Sequence, residues 1–207
     1  MKDIITEIRE LPNGISVTVN DRYTVRLTRR DQKSFFYKEG DALDFAAWKH
    51  ELLLQQYPEA LNRAVRLLAV RARSHTEIEK RLSSACYMDE TVEMVLTKLQ
   101  GNGLLDDAAF ARQWAQDRTA RQIGKARILY ELRQKGVSSE VAEAALTEMD
   151  PQQQDESAVK LAAKLIKRYQ SLPAADARRK TIQAMQRRGY SYGEARDAIE
   201  QAAEEDL

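Results

Sequence analysis

The sequence predicts a mainly α protein of tandem three-helix repeats in an elongated array, preceded by a small N-terminal β-hairpin or three-strand element. Three observations carry this reading. Glycine and proline number only 8 and 4 in 207 residues, and aromatics make up 7 %, the composition of a helical chain. Only the first 28 residues alternate apolar and polar side chains at period two, the mark of half-buried strands. Beyond Pro58 the apolar residues take helical spacing, and their pattern recurs three times.

The N-terminal segment can be read down to its register. Ile15, Val17 and Val19, then Tyr23, Val25 and Leu27, alternate with polar residues. A two-residue loop would put the apolar residues of the two strands on opposite faces. A three-residue loop, Asn20-Asp21-Arg22, pairs Val19 with Tyr23 and Val17 with Val25 and makes one face wholly apolar. The three-residue loop is therefore expected. Pro12-Asn13-Gly14 has turn chemistry, so Ile4–Ile8 reads as a third strand. Residues 31–43 read as a connector of weak helical character, and Gly40-Asp41 as a break before a helix from Asp44 to Gln55. Pro58 suits the first turn of a following helix, whose stripe is Leu61, Ala64, Val65 and Leu68. Ser74 with Glu77 three residues later forms a capping box, which restarts a helix at His75.

The repeat is anchored on Leu82, Leu132 and Met185. Four residues after each come Cys86, Gly136 and Gly189, the position of a helix stop; five after come Tyr87, Val137 and Tyr190. Ten, thirteen and fourteen after come Val92, Val95 and Leu96, then Ala142, Ala145 and Leu146, then Ala195, Ala198 and Ile199. Each unit is thus a helix, a tight turn and a second helix. Two units continue into a third helix. Gly103 reads as a left-handed stop, Asp106 as an N-cap, and Leu105 with Phe110 as a hydrophobic staple. Phe110 and Trp114 share one face of the helix that runs to Ala120. The other third helix spans Pro151 to Tyr169, with the stripe Ala158, Leu161, Ala162, Leu165 and Tyr169. The expected domains are an N-terminal extension at 1–57 and helical units at 58–122, 123–172 and 173–207. The last unit closes on an acidic tail, Glu204-Glu205-Asp206.

The net charge is only +1, but its distribution is uneven. Residues 61–136 hold 14 Lys and Arg against 9 Asp and Glu, whereas residues 137–207 hold 10 against 13. A basic middle points to an anionic partner. A single cysteine excludes an internal disulfide and fits a reducing compartment. With no apolar run of membrane length and no signal peptide, a cytoplasmic protein is expected. No catalytic constellation is visible. His50 and His75 are far apart, no phosphate-binding glycine loop occurs, and Asp106 with Asp107 is explained by capping. Cys86 reads as a small residue at a helix end, since a nucleophile would need a nearby base. No enzyme, no metal and no cofactor are expected.

A helix, glycine turn and helix also describes a DNA-binding helix-turn-helix. The second helices argue against groove reading, because they carry Asp89, Glu90 and Glu93, Glu140 and Glu143, and Glu194, Asp197 and Glu200. The basic residues gather on first helices and at the ends of third helices. They are Arg71, Arg73, Lys80 and Arg81; Arg112, Arg118, Arg121, Lys125, Arg127, Arg133 and Lys135; and Arg178, Arg179, Lys180, Arg187 and Arg188. Such a surface fits phosphate-backbone contact, a groove on an acidic protein, or, residue by residue, a solvated face.

Four motifs stand in order along the chain. They are Arg71-Ala-Arg73-Ser74-x-x-Glu77-Ile78, Gly103-Leu-Leu-Asp106-Asp107-x-x-Phe110-Ala111, Gly124-Lys125-Ala-Arg127-Ile128-x-x-Glu131-Leu132-x-x-Lys135-Gly136-Val137, and Arg187-Arg188-Gly189-Tyr190. Together they resemble the RecX family, and the resemblance covers about residues 61–200. It implies tandem three-helix units that bind the RecA filament on single-stranded DNA and restrain its ATPase, strand-exchange and co-protease activities. It supplies no catalytic residues. Cys86-Tyr87 departs from the usual glycine and apolar pair, and residues 1–57 extend beyond shorter members. The candidate RecA or DNA contacts are Arg71, Arg73, Arg81, Arg112, Arg118, Arg121, Lys125, Arg127, Arg133, Lys135, Arg187 and Arg188. A monomer is expected that touches the DNA backbone without sequence preference. The alternative is a helix-turn-helix-like DNA-binding regulator acting independently of RecA.

Overall fold

The computed structural model describes residues 3–205. The chain falls into two compact units that meet in sequence between Asp106 and Asp107. The first holds β1 (Asp3–Leu11), β2 (Gly14–Val19), β3 (Tyr23–Thr28), a single helical turn α1 (Arg29–Gln32), β4 (Ala42–Leu43), α2 (Phe45–Val70), α3 (His75–Ser83) and α4 (Asp89–Gly101). The second holds α5 (Asp107–Ala120), α6 (Lys125–Gln134), α7 (Ser139–Thr147), α8 (Pro151–Tyr169), α9 (Ala174–Arg187) and α10 (Tyr192–Glu205). Of the acidic tail, Glu204 and Glu205 belong to α10, and Asp206 lies outside the described residues.

The strands form one antiparallel sheet in the order β3-β2-β1-β4. Val19 pairs with Tyr23 and Val17 with Val25, the register of the three-residue loop. Asn20 and Asp21 make that loop with φ of 53° and 54°, a region these two residues tolerate better than most. The apolar face, Ile5, Ile15, Val17, Val19, Val25 and Leu27, packs on Leu43, Leu52 and Met88.

The connector at 31–43 is more ordered than its composition implies. Thr28 and Asp31 form a capping box that closes α1, and β4 pairs Leu43 with Asp3 as a fourth strand. Helix α2 also corrects the sequence reading. It runs through Pro58 without a break, so the boundary expected at 57/58 falls inside one helix. Proline leaves the carbonyl of Leu54 without its helical donor. Leu54 is 61 % exposed, so the carbonyl that loses its donor belongs to the solvent-facing side of the helix.

One side chain welds the strands to the helices. Gln56 is 1 % exposed. Its Nε2 donates to Asp31 Oδ2 at 2.7 Å and to the Arg26 carbonyl at 3.2 Å. Its Oε1 accepts from the Met88 N–H at 2.8 Å and from Thr91 Oγ1 at 3.2 Å. All the hydrogen-bonding capacity of the amide is thus used across α1, β3, the start of α4 and α2. The N-terminal segment is therefore part of the first helical body and not an appendage to it.

The repeat is visible in burial and in backbone. Leu82, Leu132 and Met185 are each fully buried, and the twelve apolar positions that follow them are all buried. Cys86, Gly136 and Gly189 have φ of 65°, 79° and 94°, so all three helix stops are left-handed. The helices group by their cores. Ala60, Ala64, Ile78, Leu82, Val92, Val95 and Leu99 form one; Phe110, Ala115, Ile128, Leu132, Ala142 and Leu146 a second; and Leu161, Ala162, Met185, Tyr190, Ala195 and Ile199 a third. Helix α5 therefore shares a core with α6 and α7, where the expected boundaries had placed it with the preceding unit. Leu105 lies in the first of these cores and Phe110 in the second, so each side chain anchors its own core.

Cys86 occupies its left-handed position while only 5 % exposed. A Cβ added at Gly14 would sit 3.0 Å from the Cys86 Cβ, which places Cys86 against the β2 strand. In the Cys86→Gly variant, relief of left-handed strain opposes loss of this packing, each about 1 kcal/mol. Its unfolding free energy in urea should stay within about 1 kcal/mol of the parent. Cys86→Val, β-branched at the same φ, should lose about 2 kcal/mol. A larger loss for glycine than for valine would show that the sulfur packing dominates.

Candidate nucleic-acid interface

The second unit contains a backbone joint between its two three-helix bundles. Helix α5 ends at Ala120, and the turn after it passes through Gln122, whose φ is 59°, with Ile123 N–H donating back to the Arg118 carbonyl at 3.1 Å. Gly124 follows as N-cap of α6. Its N–H donates to the Arg188 carbonyl at 2.9 Å, and Ala126 N–H to the Gly189 carbonyl at 3.2 Å. The main chains touch. A Cβ on Gly124 would lie 2.4 Å from the carbonyl atoms of Gly189, and a Cβ on Gly189 would lie 2.4 Å from the Arg127 Cβ. Just beyond the joint, Ser157 Oγ donates to the Thr119 carbonyl at 2.6 Å. That uses its single proton, so Tyr190, 3.2 Å away, donates its hydroxyl to Ser157. Burial raises the Tyr190 hydroxyl above its ordinary range, which keeps that proton in place.

The consequence is electrostatic. The joint seats the start of α6, with Lys125 and Arg127, against the end of α9, with Arg187 and Arg188, and Arg121 closes the turn before it. The residues on its two sides are about 60 apart in sequence. Arg121, Lys125, Arg187 and Arg188 are all exposed and, among the described residues, carry no ion pair. The N–H groups of Gly124, Ala126, Arg127 and Ile128 are already bonded, so an anion here would meet mainly side chains.

The remaining candidates divide by what they touch. Arg127 lies 3.3 Å from Glu131, Arg133 3.5 Å from Glu143, and Arg112 3.7 Å from Glu148. The Arg133 and Arg112 pairs are exposed on both sides and worth little on their own, so a phosphate can compete for them. The Glu131 that holds Arg127, by contrast, is only 19 % exposed and also serves Arg118 and Trp114. Arg118 and Lys135 are different. Arg118 Nε makes a 2.7 Å ion pair with Glu131 Oε2, although its N–H does not point along the contact. Its guanidinium sits 4.2 Å from the centre of the Trp114 ring, as does Lys135 Nζ. Trp114 Nε1 donates to Glu131 at 3.2 Å, and Phe110 stacks on the same ring at 5.8 Å. Both cations are thus committed to holding the half-buried Trp114, a role their charge alone did not reveal; the Trp-x3-Arg spacing was the available signal.

Arg71, Arg73 and Arg81 belong to the first unit. Arg71 pairs with Glu77 at 2.8 Å, and that hydrogen bond raises its pKa. Arg73 donates Nε to the Leu67 carbonyl at 3.1 Å; burial first, then the neighbouring Arg71, lowers its pKa. Arg81 is exposed without an ion pair among the described residues. The second helices keep acidic first turns, with Asp89 and Glu90 in α4, Glu140 in α7 and Glu194 in α10. Among the described residues no group of three His, Cys, Asp or Glu side chains could hold a metal ion, and no helix is long and apolar enough to cross a membrane.

Comparison with known proteins matches three domain models in tandem. Residues 60–99 match the first three-helix domain of RecX, residues 106–146 the second, and residues 152–199 the third. The regulatory protein RecX of Mycolicibacterium smegmatis is 36 % identical over 146 residues, covering 68 % of this chain and 78 % of the relative. That of Limosilactobacillus reuteri is 34 % identical over 186 residues, covering 89 % and 70 %. A crystal structure of a regulatory protein RecX superposes with a TM-score of 0.67 at 26 % identity, covering 96 % of this chain and 99 % of the other. With three domain models in order across its helical region and relatives above 30 % identity over most of their length, the chain belongs to the RecX family of regulatory proteins.

Proposed function

We propose that this protein is a non-enzymatic inhibitor of the RecA recombinase, engaging the RecA filament on single-stranded DNA and restraining its ATPase, strand-exchange and co-protease activities. Family membership supports RecA as the partner. The observation that carries the mode of contact is the joint at Gly124 and Gly189, which gathers Arg121, Lys125, Arg187 and Arg188 with no carboxylate paired to any of them among the described residues. Four such cations suit a row of phosphates and read no sequence. The acidic first turns of α4, α7 and α10 oppose entry of those helices into a major groove, which disfavours a helix-turn-helix-like regulator independent of RecA.

The test is RecA-catalysed ATP hydrolysis on single-stranded DNA with increasing amounts of the protein. Inhibition is the expected result. Inhibition at substoichiometric amounts would mean capping of growing ends; near-stoichiometric amounts would mean binding along the filament. Changing Arg121, Lys125, Arg187 and Arg188 together to alanine should weaken association with the filament and leave helicity and melting temperature nearly unaltered. It should also flatten the salt dependence of DNA binding by about 3 in log–log slope, since each single-strand phosphate left without its cation removes about 0.7. Unchanged RecA activity at saturating protein, with no association with the filament, would overturn the reading. A sequence-specific duplex target would favour the independent regulator.

A further inference from the structure

The loop between α1 and β4 has no part in the three-helix repeats and is built in an unusual way. Its backbone is tied at both ends. Ser34 N–H donates to the Asp31 carbonyl at 3.0 Å, Phe35 N–H to the Gln32 carbonyl at 3.2 Å and Gly40 N–H to the Ile5 carbonyl at 2.8 Å. Lys38 N–H donates to Asp41 Oδ2 at 2.7 Å, and Ile8 N–H to Glu39 Oε1 at 2.8 Å. Phe35 turns inward, 5.8 Å from the Trp48 ring and 5.6 Å from Tyr37. Phe36 turns outward and is 84 % exposed, the most exposed large apolar side chain among the described residues. Tyr37 beside it is 40 % exposed.

Around this ring the loop's carboxylates are engaged in hydrogen bonds while its two lysine side chains, among the described residues, are not. Asp31 is buried against Thr28 and Gln56, Glu39 and Asp41 each accept a backbone N–H, and Glu59 is paired with Arg30. Lys33 and Lys38 are exposed and, among the described residues, have no carboxylate partner. An exposed aromatic ring on a tied loop, three residues after one unpaired lysine and two before another, has one natural complement. An unstacked base offers its face to the ring while the phosphates on either side of it meet the lysines. A broad apolar protein surface would leave both ammonium groups without partners, and a duplex keeps its bases stacked and out of reach.

We propose that the Lys33–Lys38 loop is a second contact for single-stranded nucleic acid, with Phe36 stacking on a base and Lys33 and Lys38 meeting the backbone. The proposal shares only its ligand class with the RecA reading. The main assay omits RecA and leaves Arg121, Lys125, Arg187 and Arg188 intact, so the two stand or fall separately; RecA without DNA is titrated only as a control. The full chain is titrated into fluorescently labelled oligo(dT) and into a duplex of equal length, with anisotropy as the readout. Phe36→Ala should weaken single-strand binding about tenfold and leave duplex binding unchanged, at an unaltered melting temperature because the ring is already in solvent. Lys33→Ala with Lys38→Ala should weaken binding and reduce the salt slope by about 1.4. Unchanged single-strand affinity in Phe36→Ala would overturn the proposal, as would an equal loss on duplex. Loss of RecA binding in the absence of DNA, with oligo(dT) affinity intact, would also overturn it and assign the loop to a protein contact.

Discussion

Gln56→Leu should lower the stability of the first unit by about 4 kcal/mol, although leucine fills nearly the same volume. Removing the amide strands the Met88 N–H and the Thr91 hydroxyl, on residues 1 % and 0 % exposed, each costing about 1–3 kcal/mol. It also takes one donor from the buried Asp31 carboxylate, which keeps the Thr28 N–H and hydroxyl at 2.8 Å. The comparison is Gln55→Leu. Gln55 is exposed on the same helix, and its change should stay within about 0.5 kcal/mol. Urea unfolding of the two variants, followed by circular dichroism, separates the cases. A loss under about 1 kcal/mol for Gln56→Leu would mean that the sheet and the helices hold together without this amide.

Gly189→Ala should cost about 3 kcal/mol and reduce DNA binding without removing any cation. The residue has φ of 94°, and its added Cβ would lie 2.5 Å from the Arg127 backbone nitrogen as well as 2.4 Å from the Arg127 Cβ. Left-handed strain and overpacking each contribute about 1–3 kcal/mol. The clash is with main chain, so relief requires α6 and α9 to separate, which disperses the cluster around the joint. Gly193→Ala is the internal control. It lies in α10 with nothing within 4 Å of the added Cβ, and helix propensity predicts a gain of up to about 1 kcal/mol. Thermal unfolding and oligonucleotide anisotropy of the pair check both halves. If Gly189→Ala loses stability but binds DNA normally, the cations act without being gathered by the joint.

What the sequence disclosed and what it hid follow from the range of the interactions. The hairpin register was legible because apolar residues on both strands had to share one face. The capping box at Ser74 and the left-handed stop at Cys86 were legible because each is decided within a few residues. The continuation of α2 through Pro58 was not, since it depends on Leu54 facing solvent. Gln56 reads as one more polar residue of a helix until α1 and α4 arrive around it. The cations at 121–127 and 187–188 were visible as separate groups, but only the contact of two glycines far apart in the chain unites them. Charge alone also could not show that Arg118 and Lys135 are held by Trp114, or that Phe36 is the ring left outside.

The reach of Gln56 also sets an order of events during synthesis. Its partners lie behind it at Arg26 and Asp31 and ahead of it at Met88 and Thr91, the last 35 residues further on. At about 5–20 residues per second, roughly 2–7 s separate the emergence of the amide from that of its final partner. Through that interval the β strands are complete in sequence but unsealed, with the carbonyl end of Gln56 still hydrated. The first unit therefore closes from its far end: the oldest part of the nascent chain is locked by the arrival of α4.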